Sequence, residues 1–272
     1  MTDQPEFERL LAALRPWLEQ VVIVGGWAHR LHHAHPLAQA PGHEPVRTRD
    51  ADVAFDTGAR LTGRIADALR AAGFVETLSS DETPPIARYQ LGTEDQGFYT
   101  EFLTPLTGQG MRRDGSADAT IARAGIVAQK LRHLEVLLVA PWRCPVGGGE
   151  VAVLATPVEV AVANPVSYVA QKLLIHASRA PLKRAQDILY LHDTIQLFGG
   201  SLEPLNALWR TDVSPFLTRN QRASVRDLRP RLFATVTDTI REAARIPVDR
   251  RLRPEEVREV CAVGLAILLS DD

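Results

Sequence analysis

Two aspartates stand one residue apart in Arg47-Thr48-Arg49-Asp50-Ala51-Asp52-Val53. On an extended strand, positions i and i+2 face the same way about 7 Å apart, so Asp50 and Asp52 form a carboxylate pair. Like charges so placed repel unless a cation, a proton or bulk water relieves them. A divalent ion with a preference for oxygen ligands, Mg²⁺ or Mn²⁺, does so directly and can share its coordination with phosphate groups. A third acid, Glu101, sits in Phe98-Tyr99-Thr100-Glu101-Phe102-Leu103, an otherwise apolar and strand-like run. An acid there costs stability unless it is paired, coordinated or turned to a cleft. An Asp-x-Asp pair by itself is also compatible with a plain solvated strand face.

The elements that would position these acids follow from periodicity. Phe7, Leu10, Leu11, Leu14 and Leu18 have helical spacing. Val21-Val22-Ile23-Val24 reads as a buried strand and ends at Gly25-Gly26, with a helix expected over 27–34. A strand that ends in two glycines before a helix lets the backbone approach a phosphate, and the helix N-terminus favours its charge. Residues 36–46, rich in proline, predict a loop, 51–55 a strand and 58–72 an amphipathic helix closed by Gly73. Strands are expected at 74–79, 86–91 and 98–103. The order β-α-β-α-β-β-β predicts an α/β (α+β) fold, a mixed sheet with flanking helices. Beyond residue 120 the pattern predicts a helix at 126–138, a glycine-rich turn at 146–150 and a strand at 151–154. A helical pair follows at 165–179 and 182–197, broken near Pro181, and then a helical region broken at Pro215, Pro230, Pro247 and Pro254. A division near residue 160 is expected, into a catalytic domain over 1–160 and a mainly α-helical domain over 161–272.

Strand-Gly-Gly-helix, then Arg-x-x-Asp-x-Asp, then an acid on a later strand resembles the nucleotidyltransferase superfamily of the DNA-polymerase-beta type. The wider pattern resembles a bacterial branch related to abortive-infection toxin nucleotidyltransferases. It is carried by VGGWAHRLH (24–32), RTRDADVAF (47–55), YTEFLTPL (99–106), GIVAQKLRHLEVLL (125–138), VAVLATPVEVAVANPVSYVAQKLLIHASR (151–179) and KRAQDILYL (183–191). Two departures stand out: the spacing from Gly26 to Asp50 is longer than the superfamily's short form, and Gly26 replaces the usual serine. The resemblance implies transfer of a nucleoside monophosphate from an NTP to an acceptor hydroxyl, with release of pyrophosphate. It implies Asp50, Asp52 and Glu101 as metal ligands and catalytic residues, Glu101 also being a candidate base. It also implies Gly25, Gly26 and Arg47, together with Lys172, Arg179 and Lys183 of a helical domain that closes over the nucleotide, as nucleotide contacts. The acceptor can be RNA, protein or a small molecule; a member of the toxin-like branch would have an antitoxin partner, and an inactive member would bind nucleotide or partner without turnover.

Lys172, His176, Arg179 and Lys183 are spaced by 4, 3 and 4, which would align them on one helix face, although Pro181 separates the last from the others. Lys183 and Asp187, at i and i+4, could instead form a surface pair. His29, His32, His33 and His35 invite a zinc reading, but the segment is not H-E-x-x-H and has no acid or cysteine at a matching offset, so a partly exposed helix flank is expected. Arg222, Arg226 and Arg229 share a helical face, either as a nucleic-acid track or as a solvated surface. The net charge of −2 offers no global attraction to nucleic acid or anionic lipid. Cys144 and Cys261 form no ligand pair and are expected as buried, reduced thiols. The acidic N-terminus lacks a signal-peptide pattern and no apolar run reaches the roughly 18 residues of a membrane span, so a cytoplasmic protein is expected, without a membrane partner.

Overall fold

The computed structural model describes residues 3–39, 42–78, 85–93, 97–111, 115, 117–148 and 153–271. The chain divides into two compact units, one of Met1–Ala28 with Arg47–Ala163 and one of His29–Val46 with Asn164–Asp272.

Among the described residues, the first unit holds a nine-stranded mixed sheet. Its strands are β1 (Val22–Val24), β2 (Asp50–Ala54), β3 (Val75–Leu78), β4 (Ala87–Leu91), β5 (Phe98–Pro105), β6 (Thr120–Arg123), β7 (Ile126–Leu131), β8 (Trp142–Val146) and β9 (Val158–Val162). The main path runs β3-β4-β5-β2-β1-β9-β8, and β7 joins the far end of β5 while pairing with β6. Central β2 is antiparallel to β1 and parallel to β5. Helices α1 (Gln4–Ala13), α2 (Gly25–His32) and α3 (Ile65–Ala71) connect or flank these strands, the first four residues of α2 belonging to this unit. The expected order β-α-β-α-β-β-β is therefore present, in the mixed sheet and flanking helices of an α/β fold.

The central strands are strands because their buried positions alternate. Ala51 and Val53 are buried while Asp50 and Asp52 are half-buried, and on β5 Phe98, Thr100 and Phe102 alternate with half-buried Tyr99 and Glu101. The apolar set drives the pairing by leaving water, so the polar set is carried onto the opposite face. The buried Thr100 hydroxyl donates to the Ala51 carbonyl at 2.7 Å and ties β5 to β2. Trp27, fully buried, stacks on Phe7 with ring centroids 3.9 Å apart and meets Phe98 edge-on at 6.1 Å. Aromatic burial of this kind, costing about 3–5 kcal/mol to truncate, anchors the start of α2 beside the carboxylate strands.

Several expectations fail for identifiable reasons. Residues 126–131 form β7 and residues 134–138 a 3₁₀ turn, where a helix was expected. Their apolar run has an ambiguous period, and pairing with β5 and β6 decides for the strand. The helix predicted over 58–72 starts only at Ile65, beyond Gly58 and Gly63. Of the strand predicted at 151–154, Val151 and Ala152 lie outside the described residues, and Val153 and Leu154 are not in a strand. Part of the 146–150 turn and residue 79 also lie outside them. Strands β6, β8 and β9 are additional to the expected ones.

The second unit is helical: α4 (Pro165–Ile175), α5 (Pro181–Leu197), α6 (Leu202–Leu208), α7 (Ser214–Phe216), α8 (Arg219–Leu232), α9 (Asp238–Arg245) and α10 (Pro254–Leu268). Asn164 caps α4 by accepting from the Ser167 N–H at 2.8 Å, and Pro165 supplies a first-turn residue that needs no donor. Pro181 starts α5 in the same way, so the expected break falls there. Pro230 sits inside α8 and does not end it. No helix among the described residues is long and apolar enough to cross a membrane.

Candidate functional site

The register of the sheet brings the acids together. Asp52 on β2 is the direct partner of Glu101 on β5, Asp50 is the partner of Tyr99, and Val24 on β1 is the partner of Asp52. All three acids are half-buried and lie on the sheet face opposite the apolar core. Their fields, after burial itself, push the Tyr99 hydroxyl up to about 12, with Asp50 the largest of the three contributors, then Glu101, then Asp52.

Gly25 continues from β1 with φ +65°, and a Cβ there would lie 2.1 Å from Asp52 Oδ2. Any side chain would displace the carboxylate, so glycine is required both for the backbone conformation and for the space. At Gly26 a Cβ would come within 2.6 Å of Thr48 Cγ2. The glycine doublet therefore opens the N-terminus of α2 directly onto the acids. Thr48 donates its hydroxyl to the Asp50 carboxylate, which orients that acid. Glu101 accepts from Arg88 of β4, its cross-strand neighbour. Arg47 is exposed just ahead of β2.

The donor set is all carboxylate oxygen, which suits Mg²⁺ or Mn²⁺ and not a zinc site of nitrogen and sulfur ligands. The Asp52 carboxylate fills the place where a Cβ on Gly25 would sit, so it lies against the backbone at the start of α2. As the side chains lie, no group of three or more His, Cys, Asp and Glu is gathered as a metal cage among the described residues. Glu101 is engaged by Arg88 and Asp50 by Thr48, so the acids share a face without converging.

The predicted cations occupy the second unit and behave differently. Lys172 is buried, donates to Asp187 Oδ1 at 2.6 Å and lies 4.6 Å from the centroids of both the Tyr168 and Tyr190 rings. Arg179 Nε donates to the other Asp187 oxygen at 3.1 Å. Lys183 is exposed and donates to Gln186 at 3.3 Å, so the surface pair with Asp187 considered above does not form. Asp187 is instead the buried acid that joins Lys172 to Arg179. Local spacing hides this role, because i, i+4 offers Asp187 a nearer partner in Lys183. The available signal was an acid in the buried face of α5, among Ala185, Ile188 and Leu191.

Of the histidines expected on a partly exposed flank, His33 and His35 are half-buried, but His29 and His32 depart from it. His29 and His32 are buried, and His29 packs against His33, Tyr168 and Tyr190 at centroid distances of 5.4, 6.0 and 5.1 Å. Burial, then the neighbouring His32, holds His29 well below the ordinary imidazole range; burial and His43 take His33 down to about 4. Asp193 nearby accepts from His192 at 2.9 Å and from Arg250 at 2.6 and 2.7 Å. The expected arginine face of α8 is partly structural: Arg222 donates to the Ser214 and Leu217 carbonyls, and Arg229 to those of Leu265 and Leu269. Cys144 and Cys261 are free and buried, as expected.

A strand-glycine-helix turn facing an Asp-x-Asp strand on a mixed sheet is the core of a nucleotidyltransferase-type α/β domain. Residues 5–214 match the model of a family described as Nucleotidyltransferase, and the chain belongs to that family. No curated protein matches it significantly.

Proposed function

We propose that this protein transfers a nucleoside monophosphate from an NTP to an acceptor hydroxyl, releasing pyrophosphate. The observation that carries the reading is the register of Asp52 with Glu101, together with the close approach of Asp52 to the backbone that Gly25 allows. Asp50, Asp52 and Glu101 are the residues that would hold Mg²⁺ or Mn²⁺. When bound, such an ion supplies charge neutralisation on the phosphates and a lowered pKa for an attacking hydroxyl. The acceptor oxygen forms a bond to the α-phosphorus, the bond from that phosphorus to the β-phosphate bridge breaks, and the hydroxyl proton passes to a carboxylate or water. The start of α2 lies against Asp52 at Gly25, and the free N–H groups of a helix N-terminus suit a phosphate oxygen. Lys172 and Arg179, joined by Asp187, keep one positive charge between the three of them for an anionic ligand, and exposed Lys183 is a further candidate. In this reading the first unit is the catalytic domain and the helical unit contributes nucleotide contacts.

Calorimetric titration with Mg²⁺ and each NTP tests the proposal on wild type and on Asp50→Ala/Asp52→Ala. Metal-dependent NTP binding that disappears in the double variant supports it. Equal binding in both, or none in either, removes the metal site and leaves a non-catalytic member of the family. The acceptor class is then separated by screening RNA, protein and small-molecule hydroxyls. Growth arrest on expression, abolished by Asp52→Ala, would mark a toxin that acts in a toxin–antitoxin pair.

A further inference from the structure

Arg88 carries the cation nearest to the third acid. It stands directly across from Glu101 in the β4–β5 register and donates its Nε–H to Glu101 Oε1. Its Cζ also lies 5.2 Å from the centre of the Tyr99 ring, and Tyr99 is the registered partner of Asp50. Partial burial works against its charge, but the hydrogen bond to Glu101 and the fields of Glu101, Tyr99 and Asp50 raise its pKa above the ordinary value. The guanidinium is therefore charged at every working pH and sits within the field of two of the three carboxylates.

We propose that Arg88 is a displaceable counter-ion, which holds Glu101 away from the other two acids until a divalent ion takes that carboxylate over, and so sets the metal affinity of the site. The inference rests on the reading of Glu101 as a metal ligand. It accounts for a face that has the right acids in register but no gathered cage. Displacement is feasible because the Arg88 side chain is 45% exposed, against 17% for Glu101. A guanidinium that is already nearly half in water loses little when it is released into solvent. A divalent ion brings twice the charge to the same oxygen. Arg88 would thus stop three acids from repelling one another in the metal-free protein and yield when the ion arrives.

The opposite role, an arginine that aims Glu101 at the ion, predicts the opposite sign, so one experiment separates them. Mn²⁺ binding without nucleotide is followed by electron paramagnetic resonance and calorimetry for wild type, Arg88→Gln, Glu101→Gln and the double variant, with melting curves as a folding control. The expected result is that Arg88→Gln binds Mn²⁺ about two- to fivefold more tightly than wild type, the range an exposed ion pair can supply. Glu101→Gln should bind more weakly, and in that background the gain from Arg88→Gln should shrink. Weaker binding by Arg88→Gln overturns the proposal in favour of a positioning arginine. An equal gain in both backgrounds overturns it in favour of a distant charge effect. If Glu101→Gln leaves Mn²⁺ affinity unchanged while Asp52→Ala abolishes it, the assignment of Glu101 as a ligand has failed, and the proposal falls with it.

Discussion

The acids on the sheet and the acids among the helices are handled in opposite ways. Asp50, Asp52 and Glu101 share one half-buried face, where Glu101 keeps 17% of its side-chain surface in water and its cation, Arg88, keeps 45%. Asp187 keeps only 2%, and one of its two cations, Lys172, only 7%. Asp193 is sealed likewise between His192 and Arg250. A buried carboxylate with two donors cannot let either go without exposing an unpaired charge to a low dielectric. A carboxylate on an open face can exchange partners at little cost. The helical unit therefore uses its buried acids to hold helices together, whereas the acids of the sheet sit half-buried on one face with a partly exposed counter-ion.

Substitutions sharpen this contrast, and the largest effect belongs to the buried acid. Asp187→Ala leaves Lys172 buried without its carboxylate, and should lower stability by about 3–5 kcal/mol in denaturant unfolding. Asp52→Ala should do the reverse: little change in the unfolding midpoint, but a loss of nucleotidyl transfer of about 10²–10³-fold, the usual scale for deleting one electrostatic contributor. If both substitutions damaged folding equally, the proposed contrast would be wrong. Gly25→Ala should fall between them. Its left-handed backbone costs an L-residue about 1–2 kcal/mol, and the new methyl should also displace Asp52, so stability and activity fall together.

A smaller effect comes from buried His29 and half-buried His33 of the helical unit. Both have folded pKa values below the ordinary imidazole value, loss of solvent being the main cause in each. Between the unfolded value near 6.5 and the folded value of about 4 for His33, the unfolded chain binds more protons than the folded one. Stability therefore rises with pH across that window, is complete above it, and is lost as pH falls from about 6.5 toward 4. The groups facing His29 are His32, His33, Asp193 and Lys172, and those facing His33 are His43, Asp193, Glu44 and Arg250. Thermal melts at pH 7 and pH 5 should show the drop, and His33→Gln should flatten it; an unchanged slope would place the responsible groups elsewhere. The smallest effect is expected at exposed Lys183. Lys183→Ala should leave stability within about 0.5 kcal/mol. A rise in KM for NTP would keep Lys183 among the nucleotide contacts, and an unchanged KM would remove it.

Much of the site's local grammar is present in the sequence by itself. A strand ending in Gly25-Gly26, the two-residue parity of Asp50 and Asp52, an acid at Glu101 inside an apolar alternation and the break at Pro181 are all properties of neighbouring residues. Local periodicity and backbone preference are enough to determine them. What the tertiary structure alone decided involves partners distant along the chain. That Asp52 pairs with Glu101, and Glu101 with Arg88, depends on the register of three strands. The 126–131 segment is a strand because β5 and β6 offer it an open edge, although its own period is ambiguous. Asp187 turned from its near neighbour Lys183 to Lys172 and Arg179, because burial rewards a partner in the core over one in water. Residues 29–46 group with the helical unit through the buried histidines and contacts such as Arg250 with His43, which no local pattern announces. Where the period is clear, neighbour patterns determine which element forms and which side chains share a face; the pairing of distant segments, driven by apolar burial, decides the ambiguous elements and which charges meet.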